Sequence, residues 1–112
     1  MGPFDRFKSK TATTQEGQTA RQRSYEWYEE GLPLYMTGHN EDAIPYFDKS
    51  LELTKKSDYY TWEFKGHALA GLGHDQEAIS CFDKSLKLNP SDVMAETNKQ
   101  QVLERNRKTA KK

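Results

Sequence analysis

Two histidines and the single cysteine are the residues of this 112-residue chain whose types and positions could support chemistry. His39 and His74 each follow a glycine, and imidazole is a common zinc ligand, but no third ligand stands beside them. We therefore expect solvated turn residues and no metal site. Cys81 precedes Phe82, and a redox role would require a lowered thiol pKa that nothing nearby explains. We expect a small packing residue.

The motifs of common catalytic sites are missing from the sequence. It has no glycine-rich phosphate loop followed by lysine, no Cys-x-x-Cys, no His-Glu-x-x-His and no Gly-x-Ser-x-Gly. The short Gly71-Leu72-Gly73 is interpreted as a helix end and a turn. The sequence predicts a non-enzymatic protein without a cofactor or a metal.

Composition predicts one small domain. Leu, Ile, Val and Phe supply 18 residues, but acidic and basic residues balance at 17 each, so the chain lacks the high net charge of disordered proteins. Eleven of the 13 aromatic residues lie between Tyr25 and Phe82, where a core is expected.

No apolar run approaches the roughly 18 residues of a membrane span, and no signal-peptide pattern follows the N-terminus. The single cysteine fits a reducing compartment. We expect a cytoplasmic protein.

The charges divide the chain into three blocks. Residues 1–23 carry a net charge of +3, residues 24–92 carry −7 and residues 93–112 carry +4. An acidic body argues against nucleic-acid binding, which needs clustered Lys and Arg on a folded face. The first block has few apolar residues, and we predict that residues 1–23 form a disordered basic arm.

The acidic block contains an internal repeat. Residues 24–57 align with residues 59–92 at 14 identical positions of 34, with Asp58 left over between the copies. The spacing of apolar residues predicts helix, turn, helix in each copy. Gly38 and Gly73 are predicted to break the first helix of each hairpin, and Asn40 and Asp75 to cap the second. Pro33 is expected to kink the first helix or end it early.

The repeat resembles the tetratricopeptide repeat family. The residues that carry the resemblance are Trp27, Gly31, Ala43 and Phe47 in the first copy, and Trp62, Gly66, Ala78, Phe82 and Pro90 in the second. Departures are Glu30 and Lys65 in place of Leu, Leu34 and Leu69 in place of Tyr, and Lys55 in place of Pro. The resemblance implies an all-α, right-handed stack of helical hairpins, spanning 24–58 and 59–92, whose first helices line a concave protein-binding surface. Gly opposite Ala is expected to let the paired helices approach closely.

Residues 93–112 are predicted to form a capping helix with a basic tail. Ser91 is the expected cap, and the helix covers residues 92–109. Val93, Met94, Val102 and Leu103 form its sparse apolar stripe, which should cover the last repeat. The whole chain should therefore contain about five helices.

The family geometry also identifies a candidate groove. Its expected lining is Tyr25, Tyr28, Glu29, Leu32, Tyr35, Met36, Tyr60, Glu63, Phe64 and His67, with Ala70 and Gly71 at its end. The family members that grip a C-terminal carboxylate use Lys, Asn and other polar or basic residues where this chain has Tyr28, Leu32, Phe64, Met94 and Asn98, so no such clamp is expected. An aromatic and partly acidic lining favours a hydrophobic or basic peptide, with Glu29 and Glu63 pairing with Lys or Arg.

The sequence thus predicts a protein-interaction scaffold or adaptor that binds a protein or peptide. One alternative is a self-associating module, because two hairpins alone are marginal in stability. The other is a membrane-surface accessory protein that uses Phe4 and Phe7 with Arg6, Lys8 and Lys10. The same N-terminal cluster could instead compete for the groove.

Overall fold

The computed structural model describes residues 19–54 and 56–110, and these fold into five α-helices without a strand. The helices are α1 Ala20–Met36, α2 Asn40–Leu53, α3 Tyr59–Gly71, α4 Asp75–Leu88 and α5 Val93–Ala110. The closest packing joins α1 to α2 and α3 to α4, and α2 then packs on α3 as α4 packs on α5. The predicted all-α hairpin repeat is confirmed. The predicted cluster of Phe4, Phe7, Arg6, Lys8 and Lys10 lies outside the described residues, as do the first 18 residues of the predicted arm.

Helix α1 begins four residues before the boundary predicted from the sequence. Thr19 caps it: the Gln22 backbone N–H donates to Thr19 Oγ1 at 3.1 Å, and the Thr19 N–H donates to Gln22 Oε1 at 2.8 Å. This reciprocal pair satisfies backbone donors that a helix start leaves open. Residues 20–23, assigned from their polar composition to the arm, are therefore helical. The helix also continues through Pro33 to Met36, so this proline does not end it early.

The same turn closes both hairpins. Gly38 and Gly73 have positive φ angles of 85° and 83°, a conformation in which glycine is favoured. The His39 N–H donates to the carbonyl of Leu34 at 2.7 Å, and the His74 N–H donates to that of Leu69 at 2.9 Å. These backbone bonds hold both histidines in the turn. Helices α2 and α4 therefore begin one residue later, at Asn40 and Asp75.

The predicted caps at these turns are therefore wrong. Asn40 and Asp75 are the first helical residues, and His39 and His74 occupy the N-cap positions without a side-chain cap bond. At α5 the Ala95 N–H donates to Asp92 Oδ1 at 3.3 Å, whereas the Ser91 hydroxyl donates to Asn89. Asp92, not Ser91, is the residue that caps the last helix.

Glycine in the first helix of each hairpin makes room for a phenylalanine in the second. A β-carbon on Gly66 would lie 2.8 Å from Phe82 Cε1, and one on Gly31 would lie 3.0 Å from Phe47 Cε1. Both rings are fully buried. The prediction was that Gly packs against Ala. In the structure, Gly31 and Gly66 pack against the rings of Phe47 and Phe82 instead. Of the other signature residues, Trp27, Trp62, Ala43 and Ala78 are also buried, whereas Pro90 is exposed in the turn before α5.

The extra residue between the two repeats joins them through a buried polar network. Asp58 is only 3% exposed, and its Oδ2 lies 3.2 Å from Ser24 Oγ. Ser24 Oγ is also 2.8 Å from Ser50 Oγ, and Arg21 pairs with Asp58 Oδ1 at 3.3 Å. The network ties α1, α2 and the start of α3 together.

Asp58→Ala is expected to destabilise the protein by about 1–3 kcal/mol, the usual cost of leaving buried hydrogen-bonding groups unpaired. Chemical denaturation of the purified variant measures this effect. Glu52→Ala removes an exposed carboxylate from α2 and is the matched control, with a change near zero. Equal stability of the two variants would show that the network contributes nothing at the junction.

Helix α5 stacks on the second repeat in the way that α3 stacks on the first. Lys99 Nζ pairs with Asp83 Oδ1 on α4 at 2.7 Å, just as Lys65 pairs with Asp48 on α2 at 2.6 Å. Helix α5 therefore takes the place of the first helix of a third repeat.

The apolar stripe predicted for α5 is largely wrong. Its buried residues are Ala95 and Val102, whereas Val93 is 76% exposed, Met94 57% and Leu103 38%. Ala95 and Val102 lie seven residues apart, which places them on one face of a helix. A small residue suffices at the first position because α5 lies close to its neighbours.

Candidate functional site

The first helices of the repeats form one continuous face, because α3 contacts both α1 and α5. We call the ten predicted groove residues on α1 and α3 the groove face. Tyr28, Leu32, Tyr35, Tyr60, Phe64 and His67 are half-buried in it, while Tyr25, Glu29 and Met36 are exposed and Glu63 is buried. The predicted residues therefore gather on one side of the molecule, with different access to solvent.

Five rings from the two helices interlock to form an aromatic strip, composed of Tyr28, Tyr35, Tyr60, Phe64 and His67. Tyr28 meets the edge of Tyr60 with ring centroids 4.9 Å apart, and Tyr35 meets Phe64 at 5.7 Å. Phe64 and His67 are 5.4 Å apart. Aromatic pairs in this range stabilise each other. The strip is therefore a preformed surface that is braced from within and still half-exposed.

Helix α5 anchors one end of the strip. The side-chain amide of Asn98 donates to His67 Nε2 at 3.0 Å, and the His67 ring also meets the buried Phe82 edge-on at 5.4 Å. Burial lowers the pKa of His67 despite the nearby Asp92 carboxylate. The imidazole is therefore held neutral, as an acceptor in this bond requires.

Tyr28 lies at the centre of the strip. Burial, helped by the nearby hydroxyls of Tyr25 and Tyr60 and the carboxyl of Glu63, raises the pKa of Tyr28 to about 12. Its phenol remains protonated at physiological pH and can donate a hydrogen bond. Beside it, a cavity of about 470 Å³ opens toward the start of α1, lined by Arg21, Gln22, Tyr25, Glu26 and Tyr60.

Two carboxyl groups meet beneath the groove face. Glu63, on α3, is 5% exposed, and its carboxyl lies close to that of Asp92, the cap of α5. Burial and the Asp92 charge raise the pKa of Glu63 to about 7. Glu63 Oε2 and Asp92 Oδ2 are both buried without a hydrogen-bond partner. We call these two residues the acid pair.

His39, His74 and Cys81, which the sequence singled out, are not part of the groove face. His39 and His74 are exposed in their turns, where His39 Nδ1 lies 2.9 Å from Thr37 Oγ1 and His74 lies 3.7 Å from Glu77. Cys81 is part of the main core cluster, and burial raises its thiol pKa to about 11. Among the described residues, no group of three or more His, Cys, Asp and Glu side chains is arranged to hold a metal ion.

Trp62 lies on a side of α3 away from the groove face, where it lines a second cavity. The Lys84 ammonium lies 4.4 Å from its ring centroid, and the Trp62 indole N–H donates to the Lys56 carbonyl at 3.1 Å. A cavity of about 380 Å³ runs past this ring between α2, α3 and α4. Its charged rim contains three lysines and three carboxylates, so it has no strong preference for one sign of ligand charge.

Comparison with known proteins bears on the repeat itself. Residues 59–92 match the model of the tetratricopeptide repeat family. A search of curated proteins found no significant match. Within the described part of the chain, no helix has the length and apolar character needed to cross a membrane.

The match and the architecture lead to the same assignment. The matched segment is the second hairpin, and the first hairpin repeats its sequence, its glycine turn and its buried Trp and Phe. Five helices pack in the order that the repeat requires. Repeats of this type are interaction modules in general, and residues 59–92 form a tetratricopeptide repeat to which the first hairpin is similar.

Proposed function

We propose that this protein is a non-catalytic adaptor that binds a segment of a partner protein along the groove face, which is concave in the family geometry. The observation that carries the proposal is the aromatic strip. Its rings are fixed by contacts with each other, so little conformational entropy is lost when a ligand covers their exposed edges. Tyr and related rings are the side chains most often found at the energetic centre of interfaces.

The residues around the strip define the chemistry of the expected ligand. Tyr25 is 48% exposed and Met36 is 72% exposed, so apolar surface extends beyond both ends of the strip on α1. Glu26 and Glu29 add negative charge beside it, and the body of the protein is acidic overall. These features favour a peptide with apolar and basic side chains over an acidic one.

The membrane-surface alternative depends on Phe4 and Phe7, which lie outside the described residues. Self-association draws on the exposed Val93, Met94 and Leu103 of α5. None of these three side chains is a member of the aromatic strip. Variants of Tyr28 and Phe64 therefore test the groove proposal without altering these three side chains.

Peptides selected from a random linear library on the intact protein are expected to bind more than tenfold more weakly to Phe64→Ala and Tyr28→Ala, the range of interface hot spots. Binding should persist in about 0.5 M salt, because buried rings are not screened. Leu88→Ala, which truncates an exposed apolar residue at the end of α4, is the matched control and should bind normally.

Circular dichroism separates loss of binding from loss of folding in these variants. The proposal fails if the selected peptides bind both groove variants as tightly as the parent. Salt-sensitive binding that ignores both substitutions would instead indicate attachment to charged surface elsewhere on the chain.

A further inference from the structure

The acid pair differs from the other interhelical carboxylates described for this protein. Asp48, Asp58, Asp75 and Asp83 each pair with a lysine or arginine from another helix. Within the described residues, no ion pair involves Glu63 or Asp92, and each has a buried oxygen without a donor. Buried carboxyl oxygens are normally satisfied, so the pair has unused capacity to accept hydrogen bonds from a cation.

The position of the acid pair connects it to the groove face. Glu63 lies on α3 between Tyr60 and His67, at the spacing that places all three on one side of a helix. The Tyr28 hydroxyl is close enough for the Glu63 carboxyl to raise its pKa, and Asp92 acts on His67 in the same way. The pair therefore lies under the aromatic strip, with α1 on one side and the start of α5 on the other.

We propose that the acid pair is the subsite that receives one basic side chain, a lysine ammonium or an arginine guanidinium, from the segment bound in the groove. This inference rests on the proposed peptide-binding function. The aromatic rings above the pair contact the apolar stem of such a side chain, whose charged end reaches the two carboxyls. Glu63 keeps 5% exposure, so its carboxyl is not fully sealed from solvent.

The chemistry of the pair explains how a buried acidic site is maintained without a ligand. Two adjacent carboxyls share a proton, because both cannot ionise cheaply in a buried position. An incoming ammonium or guanidinium takes over the neutralising role of that proton and donates hydrogen bonds to both groups. The proton is released to solvent, so binding of a basic peptide at neutral pH is coupled to deprotonation of the pair.

The test compares peptides selected from the same random library on the intact protein and on Glu63→Gln. On the parent, the selected ligands should share a Lys or Arg at a fixed distance from an aromatic or aliphatic residue. Replacing that residue by Gln should weaken binding at least tenfold. Calorimetry in buffers of different ionisation enthalpy should show proton release for the basic peptide and none for its Gln counterpart.

On Glu63→Gln, the basic peptide and its Gln counterpart should bind equally. Asp92→Asn, which keeps an acceptor for the cap of α5, should reduce the preference in the same direction. Glu52→Gln removes an exposed carboxylate from α2, which contributes no residue to the groove face, and should leave the preference intact. Thermal melts establish that each variant is folded.

The two proposals fail in different ways. A library that yields no ligand for the parent protein overturns the proposed function and the basic subsite with it. Ligands that bind through Phe64 but carry no basic residue, or whose basic residue is as important on Glu63→Gln as on the parent, overturn the subsite alone.

Discussion

Trp62→Ala is expected to lower the free energy of unfolding by about 3–5 kcal/mol, the usual cost of removing a large buried aromatic side chain. Trp62 is 6% exposed and packs in the core cluster with Leu51, Leu69 and Phe82. The substitution also removes the indole hydrogen bond to the Lys56 carbonyl and the contact with the Lys84 ammonium. The loss is comparable with the entire stability of many domains of this size.

Urea denaturation followed by circular dichroism measures this loss. Met36→Ala is the control, because Met36 is a large apolar residue that is 72% exposed, and its loss should change the stability by less than about 0.5 kcal/mol. A Trp62→Ala protein that unfolds at the same urea concentration as the parent would contradict the packing described for α3.

The second large effect is a fall in stability as the pH rises. The pKa of Glu63 is raised to about 7 in the folded protein, from an ordinary value of 4.5. The folded state therefore binds a proton more tightly than the unfolded state. The stabilisation is fully present below the unfolded pKa and is lost as the pH rises through about 7. We expect a loss on the order of 2 kcal/mol between pH 4.5 and pH 8 from this group.

Comparison with Glu63→Gln isolates this contribution, because other titrating groups are common to both proteins. The difference in unfolding free energy should grow with pH in favour of the variant, whose amide is neutral and can donate a hydrogen bond to Asp92. Glu29→Gln should follow the parent at every pH. A constant difference across the range would show that Glu63 does not titrate differently in the folded and unfolded states.

The hairpins could be predicted from the sequence because their determinants are local and occur twice. Gly38 and Gly73 set the turns, and apolar spacing on either side sets the helices. The cap positions were wrong by one residue, since the backbone bonds made by His39 and His74 are not visible in side-chain preferences. Residues 20–23 are mostly polar in composition, but the capping pair of Thr19 and Gln22 starts the helix at Ala20.

The buried polar groups could not be predicted in the same way. The burial of Asp58 depends on Ser24 and Ser50, which are distant from it in sequence. Glu63 was predicted to line the groove, but its burial beside Asp92 depends on how α5 returns to the repeat. The one available signal was that Asp92 directly precedes a predicted helix, where an aspartate often acts as a cap.

Helix α3 contacts each of the other four helices, and no other helix of the described chain does so. In a long repeat array, stability is a sum over neighbouring units, and the array can open gradually from either end. Here α1 or α5 can detach at the cost of its own contacts, but the opening of α3 removes contacts from every other helix at once. Hydrogen exchange should therefore reveal an outer layer that opens locally around one cooperative unit centred on α3. The five helices of the described residues therefore fold as one globular domain with repeat symmetry rather than as an open array.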